Sequence, residues 1–408
     1  FLAERYVEDA GYCSVVRKSV TEKLPESMNY FDVREPDGMV AAMVKEELQK
    51  FMEESLSSIS DSVTIKKVSM PWSRMFEVNL LNTPMIKFFP EHTNWYKGNL
   101  HSHTTNSDGA WTPDEAVENY KANGYAFLCL SDHNLYTDYR YKYNSDLFLI
   151  LPGTEIAAVL FDEKDGYLKM HHLNGILGTK AMQEQAKSGL FQHMERIEPI
   201  VEYGDWDGRK ITEEMAENLR DHGCFITYNH PVWSRVESHE FEIDGIYNSL
   251  EIYNYNTVNE SGTGFNTTYW DEMLRKGMHV NADAADDNHN GNFPDNFGGY
   301  VMVAAESLTH DNILNALMEG KYYSVGGVDG PRIDQIIIDG RNVTVSCSPV
   351  ERVNIIAGGY VGAGTTIMAP KGEKITEASM KLTGTETYIR VECVDEYGRT
   401  AWSNPYYL

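Results

Sequence analysis

The sequence has no apolar run long enough to cross a bilayer. The longest candidates, such as residues 125–130, are strand-sized, against the ~18–20 residues a spanning helix needs. No membrane partner is expected. Cysteine is scarce: Cys13, Cys129, Cys224, Cys347 and Cys393 are scattered, odd in number and without a CxxC pair. That excludes a disulfide framework and a thiolate zinc site. Cys347 and Cys393 both lie in strand-like runs and could pair with each other; two buried unpaired thiols are the favoured expectation. Positive charge is also short, with 35 Lys and Arg against 61 Asp and Glu, a net charge of −26. Such a chain is repelled by nucleic-acid backbones and carries no basic stripe, so no nucleic acid is expected as a partner. No Gly-Lys-Ser/Thr loop for nucleotide phosphates occurs. The opening residues, Phe1-Leu2-Ala3-Glu4-Arg5, have no basic stretch followed by an apolar one. They do not read as a signal peptide, and the cytoplasm is the expected location.

What is present is ordinary globular composition, 42% hydrophobic and 24% charged, which excludes disordered and fibrous classes. The length suggests two or three domains. Residues 1–93 form an N-terminal extension of unknown role. In it Val40, Val44, Leu48, Phe51 and Leu56 recur at helical spacing and predict an amphipathic helix. Residues 94–328 repeat a capped helix, a Gly stop and a short apolar strand. Thr112-Pro113-Asp114-Glu115 opens one such helix and Gly124 ends it. Others open at Thr212, run over residues 269–276, and follow Thr309. This alternation predicts an α/β architecture with a parallel sheet, whose chemistry gathers at the C-terminal strand ends. From residue 329 to 408 only short strand signals remain, predicting a small all-β sandwich.

Thirteen histidines occur, and many stand where predicted strands end. Leu100 precedes His101-Ser102-His103; two residues apart in extended chain face the same way, so both imidazoles can meet one ion. Asp108 follows in Ser107-Asp108-Gly109. Other strand ends carry Asp132-His133-Asn134, Gly153-Thr154-Glu155, His171-His172, Asn229-His230-Pro231 and Asp286-Asp287-Asn288-His289. One HxH alone is a weak signal. Six imidazole or carboxylate groups at one rim point to a metal centre with nitrogen and oxygen donors, suited to Zn, Mn or Fe.

The order His-x-His, Ser-Asp-Gly, Asp-His-Asn, Gly-x-Glu, His, His-Pro and Asp-x-His resembles the polymerase and histidinol phosphatase (PHP) superfamily. The phrases Trp95-Tyr96-Lys97-Gly98-Asn99-Leu100-His101-Ser102-His103-Thr104, Gly320-Lys321-Tyr322-Tyr323-Ser324 and Ala401-Trp402-Ser403-Asn404-Pro405 look like its branch that includes the carbaryl hydrolases. The resemblance covers about residues 94–408. It implies a distorted (βα)7 barrel with two or three divalent metal ions (Zn, Mn or Fe) at its rim. The implied metal ligands are His101, His103, Asp108, His133, Glu155, His172, His230, Asp287 and His289. Glu155 would bridge two ions. His171 competes with His172, and Asp286 or Asp283 with Asp287.

The resemblance implies hydrolysis by a metal-bridging hydroxide, with a small, anionic substrate. A phosphoesterase is the favoured reading. A carbamate, ester or amide hydrolase on the same centre is the alternative, and a non-catalytic metal-stabilised binding module is the third. His289 and Asp108 among the ligands, together with Arg235, are the candidate catalytic residues, Arg235 either as a bidentate anion clamp or as a surface residue of its loop. Trp233 and Tyr228 either wall the pocket or pack in the core, Tyr253 and Tyr255 are candidates for an aromatic slot, and Asn254 is a candidate substrate contact. Asp132 either orients His133 or lies outside the site. The oligomeric state is left open.

Overall fold

The structure is a computed structural model and describes residues 63–67, 77–80, 85–91, 93–164, 166–290 and 294–408. The amphipathic helix expected around residues 40–56 lies outside them, as do Cys13 and His92. The chain divides into two compact units. One comprises Phe1–Ile86, Ile337–Val343 and Lys381–Glu386. Its described backbone includes an antiparallel pair, β1 (Val63–Lys67) and β2 (Glu77–Leu80), in the register Val63↔Leu80. The other unit comprises Lys87–Ile336, Thr344–Met380 and Thr387–Leu408.

The second unit is a mixed α/β fold, rich in sheet and with few helices. Its strands are β3 (Asn94–Asn99), β4 (Phe127–Leu130), β5 (Leu149–Asp162), β6 (Gly166–Leu177), β7 (Cys224–Tyr228), β8 (Ser249–Asn254), β9 (Asn281–Ala285), β10 (Gly299–Ala305) and β11 (Tyr322–Gly326). Then follow β12 (Arg352–Ala357), β13 (Gly364–Met368), β14 (Tyr388–Val394) and β15 (Thr400–Ser403). They form one 15-stranded sheet in the order β9-β8-β7-β6-β5-β4-β3-β10-β11-β15-β14-β12-β13, with two short strands beside that path. The C-terminal strands thus extend the sheet from β11, where Ser324 pairs with Trp402. β3, β4 and β5 run parallel, as do β7, β8 and β9. Between the two runs lies a long antiparallel hairpin, β5 to β6, with no helix inside it. Strict helix–strand alternation therefore breaks there.

Local chemistry explains the helices. Helix α1 (Pro113–Ala122) has the full capping box expected of Thr112 and Glu115, with Pro113 at its first position. Helix α2 (Gly208–Asp221) begins a turn earlier than Thr212, because the Asp207 side chain accepts from Lys210 N. Helices α3 (Tyr255–Ser261) and α4 (Thr267–Arg275) follow β8, and α5 (His310–Met318) follows β10, capped by Thr309. One core packs Met215, Leu219, Trp270, Met273 and Leu274 of α2 and α4 with Ile226, Leu250, Ile252 and Ala282 of β7–β9. A second packs Ile313, Leu314 and Leu317 of α5 with Leu100, Phe127, Val301 and Val303. At ~1.5–3 kcal/mol per buried apolar side chain, these two cores clamp the strand ends that carry the polar cluster. The four described cysteines are buried and unpaired.

Candidate metal centre

The ends of β3, β4, β7 and β9 and the middle of β5 and β6 deliver their side chains to one place. Parallel neighbours put their C-terminal ends on the same side, and two bridges carry the pairing past the strands: Ser102↔Asn288 and His133↔Glu155. The structure brings together His101, His103, Asp108, His133, Glu155, His172, His230, Asp287 and His289. Their donor atoms fall into overlapping groups: His101, His103, Glu155 and Asp287; His133, Glu155 and His172; His103, Asp108, His133 and His289; and His101 and His230 with Glu251.

Glu155 stands at the middle and is fully buried. Its Oε1 lies 3.2 Å from His101 Nε2, 3.1 Å from His172 Nδ1 and 3.3 Å from His230 Nε2. Its Oε2 lies 3.3 Å from His103 Nε2 and 3.0 Å from His133 Nδ1. Asp287 Oδ1 lies 3.2 Å from His101 Nε2 and 3.0 Å from His103 Nε2. Asp108 closes the outer side, 3.5 Å from both His133 Nε2 and His289 Nε2. The side chains of His101, His103 and Glu155 are sealed, those of His133 and His289 are a quarter exposed, and Asp108 is half exposed. The open side of the cluster is therefore the Asp108 side.

These residues fit a divalent ion. His101 Nε2 and His103 Nε2 are 3.2 Å apart, and atoms bonded to one ion at ~2.0–2.2 Å sit at about that spacing from each other. Glu155 Oε2 and His172 Nδ1 have close neighbours yet make no aligned hydrogen bond. Lone pairs that converge on a common point, rather than on one another, leave this geometry. The electrostatics agree. Burial opposes charge on Glu155, but His172, His101 and His133 outweigh it and hold the carboxyl well below its usual range. Burial likewise opposes charge on His101, and Asp287, Glu155 and Glu251 overcome it and raise the ring. Burial wins at His172, which falls to about 4.

Strand alternation settles which neighbour faces the cluster. His172 points to Glu155, whereas His171 points away, its ring on Trp206 and its Nδ1 2.5 Å from the Tyr228 hydroxyl. Asp287 faces in from a left-handed backbone, φ 54°. Asp286 is engaged elsewhere: it accepts from Tyr120 OH (2.7 Å) and from the N–H groups of Phe297, Gly298 and Gly299. Asp283 is bound by the Ser249 hydroxyl. Asp132 accepts from Thr104 N (2.7 Å) and Ser107 Oγ (2.9 Å), so it shapes the loop that carries Asp108.

Several expectations need correction. Of the two readings of Tyr228 the core one holds: it is buried against Phe241 and Tyr247. Asn254 is turned inward, donating to Glu251 Oε1 (2.7 Å) and Asp287 Oδ2 (3.0 Å), because its strand end is roofed by α3. Tyr253 is buried beside Trp402. Trp233 does reach the rim, its ring edge-on to His230 with centroids 5.1 Å apart. Arg235 is exposed on the turn after His230, in a left-handed backbone conformation (φ 62°). Sequence reading missed Glu251, buried in β8, whose Oε2 lies 2.8 Å from His101 Nδ1. It also missed Asn229, which donates to Glu155 Oε1 (2.8 Å), and Ser234, 3.1 Å from His230 Nδ1. The available signal was a carboxylate inside the apolar stretch 250–253.

A family described as a protein of unknown function, DUF4127, matches residues 1–81. No curated protein matches the sequence. Among solved structures, one similar chain is a two-domain protein from Bacteroides vulgatus described as containing a predicted PHP-like metal-dependent phosphoesterase. Identity is 14%, the TM-score 0.38, and the match covers 78% of this chain and 97% of that one. Another is a proposed metal-dependent phosphoesterase from Bifidobacterium adolescentis, 14% identical, TM-score 0.31, covering 54% of this chain and 95% of that one. A third similar structure is Endonuclease Q in complex with a 27-mer duplex substrate with an abasic lesion at its active site. Identity there is 14%, the TM-score 0.31, and the match covers 55% of this chain and 56% of that one. That neighbour overturns the expectation that excluded nucleic acid. The exclusion rested on net charge, which sums over the whole surface, whereas binding is decided by the field at the site. Among the described residues no helix is long and apolar enough to cross a membrane.

Proposed function

We propose that this protein is a metal-dependent hydrolase, acting as a phosphoesterase on a small phosphorylated molecule. The observation that carries the reading is the buried carboxylate at the middle of the cluster, Glu155, whose Oε1 faces His101, His172 and His230 and whose Oε2 faces His103 and His133. Glu155 would be shared between ions. His101, His103 and Asp287 would complete one set, His172 and His230 another, and Asp108, His133 and His289 the outer one. When bound, divalent ions supply an activated water at neutral pH and neutralise charge on the attacked group. The chain's own residues do the rest. The sealed side, His101 to Glu155, keeps the inner groups dry, which strengthens every charge interaction there. The half-exposed Asp108, with His133 and His289, forms the entrance where an anionic substrate meets the centre and a proton reaches its leaving oxygen.

The same reading takes β3–β11 as a distorted barrel. Ser324 Oγ of β11 donates to Ala282 O of β9 (2.7 Å), which brings the two ends of that strand series together.

Trp233 at the rim favours a second reading, an aryl carbamate, ester or amide hydrolase with an aromatic slot. Two substrates with one leaving group separate the readings: 1-naphthyl phosphate and 1-naphthyl N-methylcarbamate. The protein is loaded with manganese, naphthol release is followed, and a His101→Ala/His103→Ala variant is the control. Faster phosphate turnover, lost in the variant, is expected. Faster carbamate turnover sinks the phosphoesterase reading, and silence on both substrates with metal bound sinks the proposed function in favour of a non-catalytic metal-stabilised module.

A further inference from the structure

A further buried carboxylate, Glu251, lies against His101 and His230 but outside the three sets assigned above. We propose that Glu251 is the positioning residue of the centre, fixing the ring orientation of His101 and the backbone of His230. This rests on the reading of the cluster as a metal centre.

Glu251 is fully buried in β8, the strand between β7 and β9. Its Oε2 lies 2.8 Å from His101 Nδ1, and its Oε1 accepts from His230 N (3.3 Å) and from Asn254 Nδ2 (2.7 Å). The other nitrogen of His101, Nε2, faces Glu155 and Asp287 at 3.2 Å. A ring held this way donates Nδ1–H to Glu251 and keeps its Nε2 lone pair for the ion. A carboxylate behind a ligating imidazole sets the tautomer and raises the basicity of the ligating nitrogen.

The backbone is built for this contact. In a regular strand, Glu251 and Asn254, three apart, face opposite sides. The pairing of β8 with β9 slips between Glu251 and Tyr253: Glu251 opposes Asp283, yet Tyr253 opposes Ala284. The extra residue, Ile252, is a bulge that returns Asn254 to the side of Glu251. Both polar side chains then reach the cluster from one strand, and Asn254 also donates to Asp287 Oδ2 (3.0 Å). Residues from β3, β7 and β9 are thereby tied to β8.

The test is metal affinity rather than turnover. Manganese and zinc dissociation constants are measured by competition with a chelator on folded wild type, Glu251→Gln and Glu251→Ala, at one pH. Glu251→Ala is expected to weaken binding by about 10–100-fold. Glu251→Gln, whose amide oxygen still accepts from His101 Nδ1–H, is expected to recover most of that loss. If Glu251→Ala does not fold, the comparison of wild type with Glu251→Gln decides, with a smaller but measurable weakening expected. Equal affinities in all folded variants overturn the proposal, because a purely structural role lowers unfolding midpoints without touching affinity. Wild type that binds metal but hydrolyses neither naphthyl substrate sinks the proposed function and leaves Glu251 standing. Wild type that takes up no metal overturns both.

Discussion

His101 and His103 hold their Nε2 atoms 3.2 Å apart inside a sealed pocket. At that distance one ring can donate its N–H to the other, and two unprotonated rings can instead share a cation, the arrangement the proposed function requires. The His101→Ala/His103→Ala variant is therefore expected to lose its metal during gel filtration, read by elemental analysis, and at least ~100-fold of its hydrolysis. Unchanged metal content in the variant would end the assignment. Glu155 makes a separate prediction, because each oxygen faces its own histidines. Glu155→Gln keeps the shape and removes the charge. It is expected to lose metal from both inner groups, whereas His172→Ala is expected to lose it from one. Equal losses in the two variants would show that Glu155 is not shared.

Among the elements, two loops carry the outer donors, and each is latched by chemistry of its own. Gly109 follows Asp108 and packs on the backbone of His103; a Cβ there would sit 2.5 Å from its carbonyl carbon. Gly109→Ala must push the Asp108 loop away from His133 and His289. Turnover is expected to fall about 10–100-fold, with the inner metal retained. The loop after β9 is latched by Asp286, which accepts three backbone N–H bonds and the Tyr120 hydroxyl. Asp286→Ala leaves those donors buried and unpaired. It is expected to lower unfolding stability by at least ~3 kcal/mol in urea titration. A variant as stable as wild type would mean that the loop is held from elsewhere. Part of this was readable: Gly109 in a Ser-Asp-Gly phrase, Thr112 with Glu115 as a capping box. Asp286 was not, because its partners at 297–299 are distant in sequence and meet it only across the loop.

For the whole molecule, strands from much of the chain end at one centre, so its ions act as a shared staple. An ion that binds the folded chain alone stabilises it by about 2.7 kcal/mol at 100 times its dissociation constant. Chelation is expected to lower the melting temperature, and manganese to restore it. A melting curve indifferent to chelator would mean that the strand ends are held by the apolar cores alone. At this scale the sequence was least legible. A helix–strand alternation was readable over residues 94–328, but the antiparallel β5–β6 hairpin within it was not, since apolar runs do not declare their direction. Nor was the joining of β15 to β11, which is a matter of sheet-edge pairing between distant segments. Net charge does not decide nucleic-acid binding for a related reason: it is a sum, and a site is local.

The sequence by itself determined the donor chemistry. Imidazoles and carboxylates without thiolates, His101 and His103 two apart, and polar groups placed after apolar runs follow from residue identity and period alone. Only the tertiary structure decided which member of each doublet faces the centre. His172 rather than His171, and Asp287 rather than Asp286, turn inward because one step along a strand reverses a side chain and a left-handed residue or bulge reverses it again. Glu251 belongs wholly to that second kind. Its partners, His101 and His230, are brought to it by the sheet order and by a slip of one residue in pairing.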